Sequence, residues 1–175
     1  MGKNIVILTG SPRKEANSDR LAAAFISWAE SAGHTTSVFR TADMNIGGCV
    51  GCGYCFEHPG ECFQKDDMKQ ILEALKTAEV LVLASPVYFW SVTAQLKLAI
   101  DRTYALLRAK APIQRAVLLL TCGSRTGATI PMFETMCEFS QWENAGVIVA
   151  TGLREPDAID SHDSLKEAEA LGRSI

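Results

Sequence analysis

The hydrophobic positions fall into two alternating patterns. Asn4–Leu8, Val80–Ala84, Ala116–Thr121 and Val147–Ala150 are continuous apolar runs, as expected of strands covered on both faces. Thr35–Phe39 is a shorter β-prone stretch. Between these runs, apolar residues recur at helical spacing. Leu21, Phe25, Trp28, Ala29 and Ala32 form one stripe, with Gly33 as a plausible stop. Met68, Ile71, Leu72 and Leu75 form a second, behind Asp66-Asp67 with Gln70 placed to complete a capping box. Leu96, Ala99, Ile100, Thr103 and Leu107 form a third. A fourth helix is expected from Pro131 to Gly146, and a short last one from Ser164, with Glu167 in its first turn, to Leu171. This alternation predicts an α/β fold: a doubly wound, five-stranded parallel sheet in a three-layer α/β/α arrangement, with right-handed crossovers. Residues 1–175 read as a single domain, with residues 41–65 as an irregular, cysteine-rich insertion loop.

In such a sheet the ligand site lies at the carboxyl ends of the strands. Three loops leave those ends and should converge: residues 9–18, 85–91 and 122–128. The first, Thr9-Gly10-Ser11-Pro12-Arg13-Lys14-Glu15-Ala16-Asn17-Ser18, runs from a strand into a helix. It joins backbone donors at a helix N-terminus to the side chains of Ser11, Arg13, Asn17 and Ser18, which suits a phosphate. An ordinary helix cap uses the same residue types. The second loop brings Tyr88, Phe89 and Trp90 beside a rigid Pro86, and the third brings Gly123 and Ser124 beside Cys122. A phosphate seat, an aromatic wall and a row of amides together suit a flat, heteroatom-rich ring joined to a phosphate, a description that FMN fits. The dinucleotide fingerprint G-x-G-x-x-G and the P-loop motif are both absent after the first strand.

Composition narrows the setting. The chain is 47% hydrophobic and 21% charged, with a net charge of -3, so nothing in it favours a nucleic-acid partner. No apolar run approaches the ~20 residues of a membrane span, so no membrane association is expected. The N-terminal run is too short and too quickly polar for a signal peptide, and a cytoplasmic protein is the expectation.

Four of the six cysteines, Cys49, Cys52, Cys55 and Cys62, lie within fourteen residues. Without an export signal, metal binding or redox chemistry is the more natural use of such a cluster than disulfides. Two C-x-x-C steps on a glycine-rich loop let three thiolates converge on one cluster face, and a fourth returns after a short excursion, as a [4Fe–4S] ligand set requires. Tetrahedral zinc and unligated redox-active thiols are the alternatives.

Gly10-Ser11-Pro12-Arg13 with Asn17-Ser18, Ser85-Pro86-Val87-Tyr88-Phe89, and Ala94-Gln95-Leu96-Lys97 through Asp101-Arg102 together resemble the NADPH-dependent FMN reductase group of flavodoxin-like proteins. The cysteine quartet resembles that of its iron–sulfur flavoprotein branch. The resemblance implies a flavodoxin-like sheet and FMN, with NAD(P)H as co-substrate and a small acceptor such as a quinone or flavin. It also implies a homodimer or homotetramer assembled through the helix near residues 93–107. By position, Ser11, Arg13, Asn17 and Ser18 would hold the phosphate. Pro86, Val87, Tyr88 and Phe89 would line the flavin ring, and Gly123 and Ser124 would close the other side. The chemistry would be flavin-borne, with no catalytic side chain. Trp90 departs from the small residue expected at its position. The alternative implied by the cysteines is an electron-transfer protein, relaying electrons between a ferredoxin-type donor and an acceptor through FMN and a [4Fe–4S] cluster.

Overall fold

The computed structural model describes residues 2–175. Strands β1 (Asn4–Thr9), β2 (Thr35–Arg40), β3 (Val80–Pro86), β4 (Arg115–Thr121) and β5 (Glu143–Ala150) form one sheet in the order β2-β1-β3-β4-β5, every pair parallel. The helices are α1 (Asn17–Ser31), α2 (Tyr54–Glu57), α3 (Met68–Leu75), α4 (Ala94–Arg102), α5 (Thr129–Ser140) and α6 (Ser164–Ser174).

Strand side chains alternate between the two faces, and the continuous apolar runs supply both. Val6, Leu8, Leu81, Leu83, Leu118 and Leu120 pack on one face against Met68, Ile71, Leu75, Leu96 and Phe133 of α3, α4 and α5. Their neighbours Ile5, Ile7, Val80, Val82, Val117 and Leu119 pack on the other against Leu21, Phe25 and Ala168 of α1 and α6. This is the expected three-layer sandwich. After β2 the chain returns to the far side of β1, so the strand order reverses between β1 and β3. A crevice opens above that switch point.

The boundaries differ from the sequence reading in four places. The fourth helix does not run to Gly146: α5 ends at Ser140, Gln141 with a φ of 59° turns the chain left-handed, and β5 already begins at Glu143. Gly146 lies within that strand, beside an irregularity where Ala116 pairs with Asn144 and Val117 with Gly146. The third helix ends at Arg102 and tightens into a 3₁₀ turn, Thr103–Leu106, which leaves Leu107 exposed. At the start of α3 the expected reciprocal cap is replaced by an Asp66 carboxylate that accepts from the Met68 amide at 3.2 Å. Ser164 is the first helical residue of α6, after Asp163, and its hydroxyl meets His162 Nδ1 at 2.9 Å.

Candidate functional site

The three loops at the carboxyl rim are tied together by short hydrogen bonds. Thr93, which caps α4, donates from Oγ1 to the Gly10 carbonyl at 2.6 Å. A β-carbon on Gly10 would stand 2.7 Å from that hydroxyl and from Leu96 Cβ, so only glycine permits the approach. The Val87 amide donates to the Thr121 carbonyl at 2.8 Å and the Ala128 amide to the Trp90 carbonyl at 2.9 Å, which joins the second loop to the third.

A cavity of about 330 Å³ lies between them. It is lined by Ser11, Arg13, Asn17, Ser18, Pro86, Val87, Tyr88 and Gly123 among the residues expected from sequence. Phe89 and Ser124 are not in its lining. Phe89 sits at the tip of a tight turn closed by reciprocal Tyr88–Ser91 hydrogen bonds of 2.9 and 3.2 Å, and the residue is 95% exposed. Phe89 and Trp90 both have positive φ, 43° and 75°. That is the backbone of a type I′ turn, a conformation that Asn-Gly adopts easily and two aromatic residues do not. Gly127 holds the turn from below: a β-carbon there would fall 2.3 Å from the Trp90 carbonyl oxygen.

At the other end of the cavity α1 begins without a side-chain cap. Its N-cap position is Ala16, which has no acceptor to offer the first-turn amides. Ser18 Oγ is buried there without a hydrogen-bond partner. A helix start with open amides, an orphaned hydroxyl and the positive end of the dipole is a seat for an anion. Two expected ligands are engaged elsewhere. Ser11 Oγ accepts from the Arg13 amide at 3.1 Å and bonds the Arg13 carbonyl, which shapes the loop. Asn17 donates from Nδ2 to the Glu155 carbonyl at 2.9 Å and accepts from the Ile159 amide.

Those Asn17 bonds expose a wall that sequence reading missed. Leu153, Arg154, Glu155, Pro156 and Asp157 line the cavity on the side of β5. The amides of Gly152 and Leu153 bond the carbonyls of Gly123 and Cys122, each at 3.1 Å. The signal was topological: this segment also leaves the carboxyl end of a strand. Cys122 lines the cavity as well, and burial pushes its thiol up, with a Ser124 amide bond opposing.

The cysteines form a second site. Cys49, Cys52, Cys55 and Cys62 all line one small cavity of about 130 Å³, with Arg102 and Tyr104 on its inner wall. Gly51 and Gly53 have positive φ, 65° and 74°, which turns the loop back at each C-x-x-C step. Burial pushes the Cys55 thiol up, and negative charge on the other three cysteines pushes it the same way. No three ligating groups among the described residues converge on a point that would hold a single metal ion.

Arg102 holds this loop to the domain, and its role was not read from sequence. It is 2% exposed. Its Nη1 donates to the Gly47 carbonyl at 2.8 Å and to Asp66 Oδ2 at 2.9 Å, and Nη2 donates to Asp66 Oδ1 at 3.0 Å. Asp66 also accepts from the Gly47 amide at 2.9 Å. Burial opposes the Asp66 charge, but the Arg102 hydrogen bonds and the Gly47 amide outweigh it and hold the carboxyl below its ordinary range. The available signal was a charged residue on the apolar stripe of Leu96, Ala99 and Leu106.

A parallel five-stranded sheet of this order, with a loop-lined cavity above the switch point, defines a flavodoxin-like protein. The chain belongs to the NADPH-dependent FMN reductase family, whose sequence model matches residues 3–152. It is 38% identical over 95 residues to an iron–sulfur flavoprotein of Archaeoglobus fulgidus, covering 54% of this chain and 43% of that one. It is 37% identical over 99 residues to an iron–sulfur flavoprotein of Methanocaldococcus jannaschii, covering 57% and 51%. The matched regions thus span about half the length of these relatives. Among solved structures, an NAD(P)H:quinone oxidoreductase from Methanothermobacter marburgensis superposes with a TM-score of 0.77 at 18% identity, covering 99% of this chain and 97% of that one. At that identity the likeness defines the fold. No helix among the described residues is long and apolar enough to cross a membrane.

Proposed function

We propose that the chain is an FMN-dependent NAD(P)H oxidoreductase that passes reducing equivalents from the nicotinamide to a small acceptor such as a quinone or a flavin. When bound, FMN supplies the redox chemistry, and the protein supplies binding, orientation and electrostatics. The single observation that carries the reading is the start of α1 at the switch-point cavity, where the first-turn amides have no side-chain cap and Ser18, a lining residue, keeps a buried hydroxyl without a partner. Ser18 and the first-turn amides would take the phosphate, with the Arg13 guanidinium beside them. Pro86, Val87 and Tyr88 would face one side of the ring system, and Cys122 and Gly123 another. The Val87 and Tyr88 amides are already bonded to Thr121 and Ser91, so those of Phe89 and Trp90 are the donors this turn has left for a ring heteroatom. The strained turn would hold them in place before the ligand arrives.

The test is anaerobic mixing of the flavin-loaded protein with NADH or NADPH while the flavin absorbance is followed. Bleaching on the time scale of turnover is expected. Failure of both nucleotides, with reduction only by a low-potential one-electron carrier, would overturn the enzyme reading.

A second reading is favoured by the four cysteines on one cavity and by the iron–sulfur flavoproteins among the relatives. In it Cys49, Cys52, Cys55 and Cys62 hold a [4Fe–4S] cluster, and the protein relays electrons between a ferredoxin-type donor and its acceptor. Four thiols lining one cavity suit the ligand set of a multi-iron group. Iron and sulfide assays on anaerobically purified protein test it, and about four of each per chain is the expected result. We also infer a homodimer or homotetramer built through α4 and the turn after it, where Tyr104 and Leu107 are exposed. Light scattering on the eluting protein checks this, and a monomer would contradict it.

A further inference from the structure

One helix spans the distance between the two cavities. Thr93 caps α4 at the flavin rim and bonds Gly10, and nine residues later Arg102 ends the helix in the wall of the cysteine cavity. At that end the Arg102–Asp66 pair is almost wholly enclosed, the two side chains being 1% and 11% exposed. A buried ion pair is a poor source of stability, because desolvation consumes most of the Coulomb gain, and an apolar pair of similar volume often serves as well. Two further observations bear on that charge. Arg102 Nε is buried with no hydrogen-bond partner. Arg102 and Cys62 line the same small cavity, together with the other three clustered cysteines.

We propose that Arg102 is a positioning residue for the cysteine site: it fixes the Gly47 end of the loop and holds its charge in the wall of the cavity that Cys62 also lines. This rests on the reading of the four cysteines as cluster ligands. Two consequences follow. The Gly47 and Asp66 bonds hold the loop in a form that receives the cluster, so they slow iron loss. A cation enclosed beside a ligand sulfur favours the more negative, reduced state, so it raises the potential of the site. A merely structural arginine would produce the first effect and not the second.

The experiment compares wild type, Arg102→Lys and the double variant Asp66→Asn/Arg102→Met, all purified anaerobically. It reads FMN per chain, iron and sulfide per chain, the rate of iron loss to a chelator, and the midpoint potential of the cluster. The double variant removes both charges together, so no unpaired carboxylate is left buried. It is expected to keep its FMN, to lose iron at least tenfold faster, and to show a tenfold shift in the one-electron equilibrium, or about 59 mV toward lower potential. Arg102→Lys is expected to keep the potential near wild type while losing iron faster. A double variant with the wild-type potential overturns the proposal, whatever its iron loss. If the double variant loses FMN and fold together, Arg102→Lys decides, and a clearly lowered potential there overturns it. Wild-type protein without iron or sulfide overturns the cluster reading and this inference with it, and is distinguished by arising before any variant is compared.

Discussion

Thr93 Oγ1 donates to the Gly10 carbonyl at 2.6 Å across 83 residues of chain, and the same hydroxyl accepts from the Leu96 amide at 3.4 Å. One side chain therefore caps α4 and fastens the loop of residues 9–18 to it. Thr93→Val keeps the shape and removes both bonds, leaving the Gly10 carbonyl buried without its donor. A loss of about 1–3 kcal/mol is expected in chemical denaturation, together with weaker FMN retention. Unchanged stability would show that the two loops are joined by packing alone.

Ser18 separates stability from binding. Its buried hydroxyl has no partner within the chain, so Ser18→Ala relieves an unsatisfied group in the flavin-free protein. The expected result is equal or greater thermal stability without FMN and roughly tenfold weaker FMN affinity, the worth of about 1.4 kcal/mol in one lost hydrogen bond to a charged group. Arg13→Ala should weaken FMN binding in the same direction. Calorimetry on the flavin-free protein and fluorescence titration with FMN read the two quantities independently.

The Phe89-Trp90 turn carries its conformation at a cost. Replacing the pair by Asn-Gly supplies the residues that type I′ geometry favours, and a gain of about 1 kcal/mol in the stability of the flavin-free protein is expected. A loss of stability would mean that these exposed rings are held by contacts worth more than the strain.

The sheet and its faces were legible in the sequence because Ile5, Val82, Leu118 and their neighbours lie in runs buried on both sides, a signal that needs no tertiary context. The start of β5 was not legible. Glu143 and Asn144 are polar and exposed at the sheet edge, and the left-handed stop at Gln141 carries no glycine to announce it. The meeting of the three loops could be read from topology, since strand ends in a parallel sheet share a rim. Which polar side chain is left without a partner could not: Ser11 and Asn17 look as suitable as Ser18, and only the folded chain shows that loop geometry consumes both. Arg102 escaped for a similar reason. Its partner Asp66 is 36 residues away, and a helix-capping role accounted for that carboxylate locally.

Asp66 gives the cysteine loop a pH dependence. Its folded carboxyl titrates below the ordinary value of 3.8, held down by Arg102 and the Gly47 amide against the opposing effect of burial. The unfolded state therefore binds its proton first as acid is added. The stabilisation is fully present above about pH 4 and is lost as pH falls through the folded value. Hydrogen exchange of residues 45–66 should rise below pH 4 in wild type, and this acid-induced rise should be absent in the Asp66→Asn/Arg102→Met double variant.

Thiol reactivity should divide the six cysteines by location. Burial, with a smaller push from Glu134, raises the Cys137 thiol to about 11, and Cys122 is also buried and raised. Cys49 and Cys52 are exposed. In metal-free protein iodoacetamide should label Cys49 and Cys52 first and Cys137 last, as read by peptide mass spectrometry. Early labelling of Cys137 would show that α5 opens readily from the sheet.

The proposed phosphate seat at the start of α1 is the feature on which the functional reading stands, and comparing FMN with riboflavin tests it most directly. The two ligands share the ring system and differ in the phosphate. Titration of the flavin-free protein with each, followed by flavin fluorescence, should show FMN bound at least a hundredfold more tightly, about 2.7 kcal/mol, with the difference shrinking in Ser18→Ala and Arg13→Ala. Equal affinity for FMN and riboflavin would contradict the account.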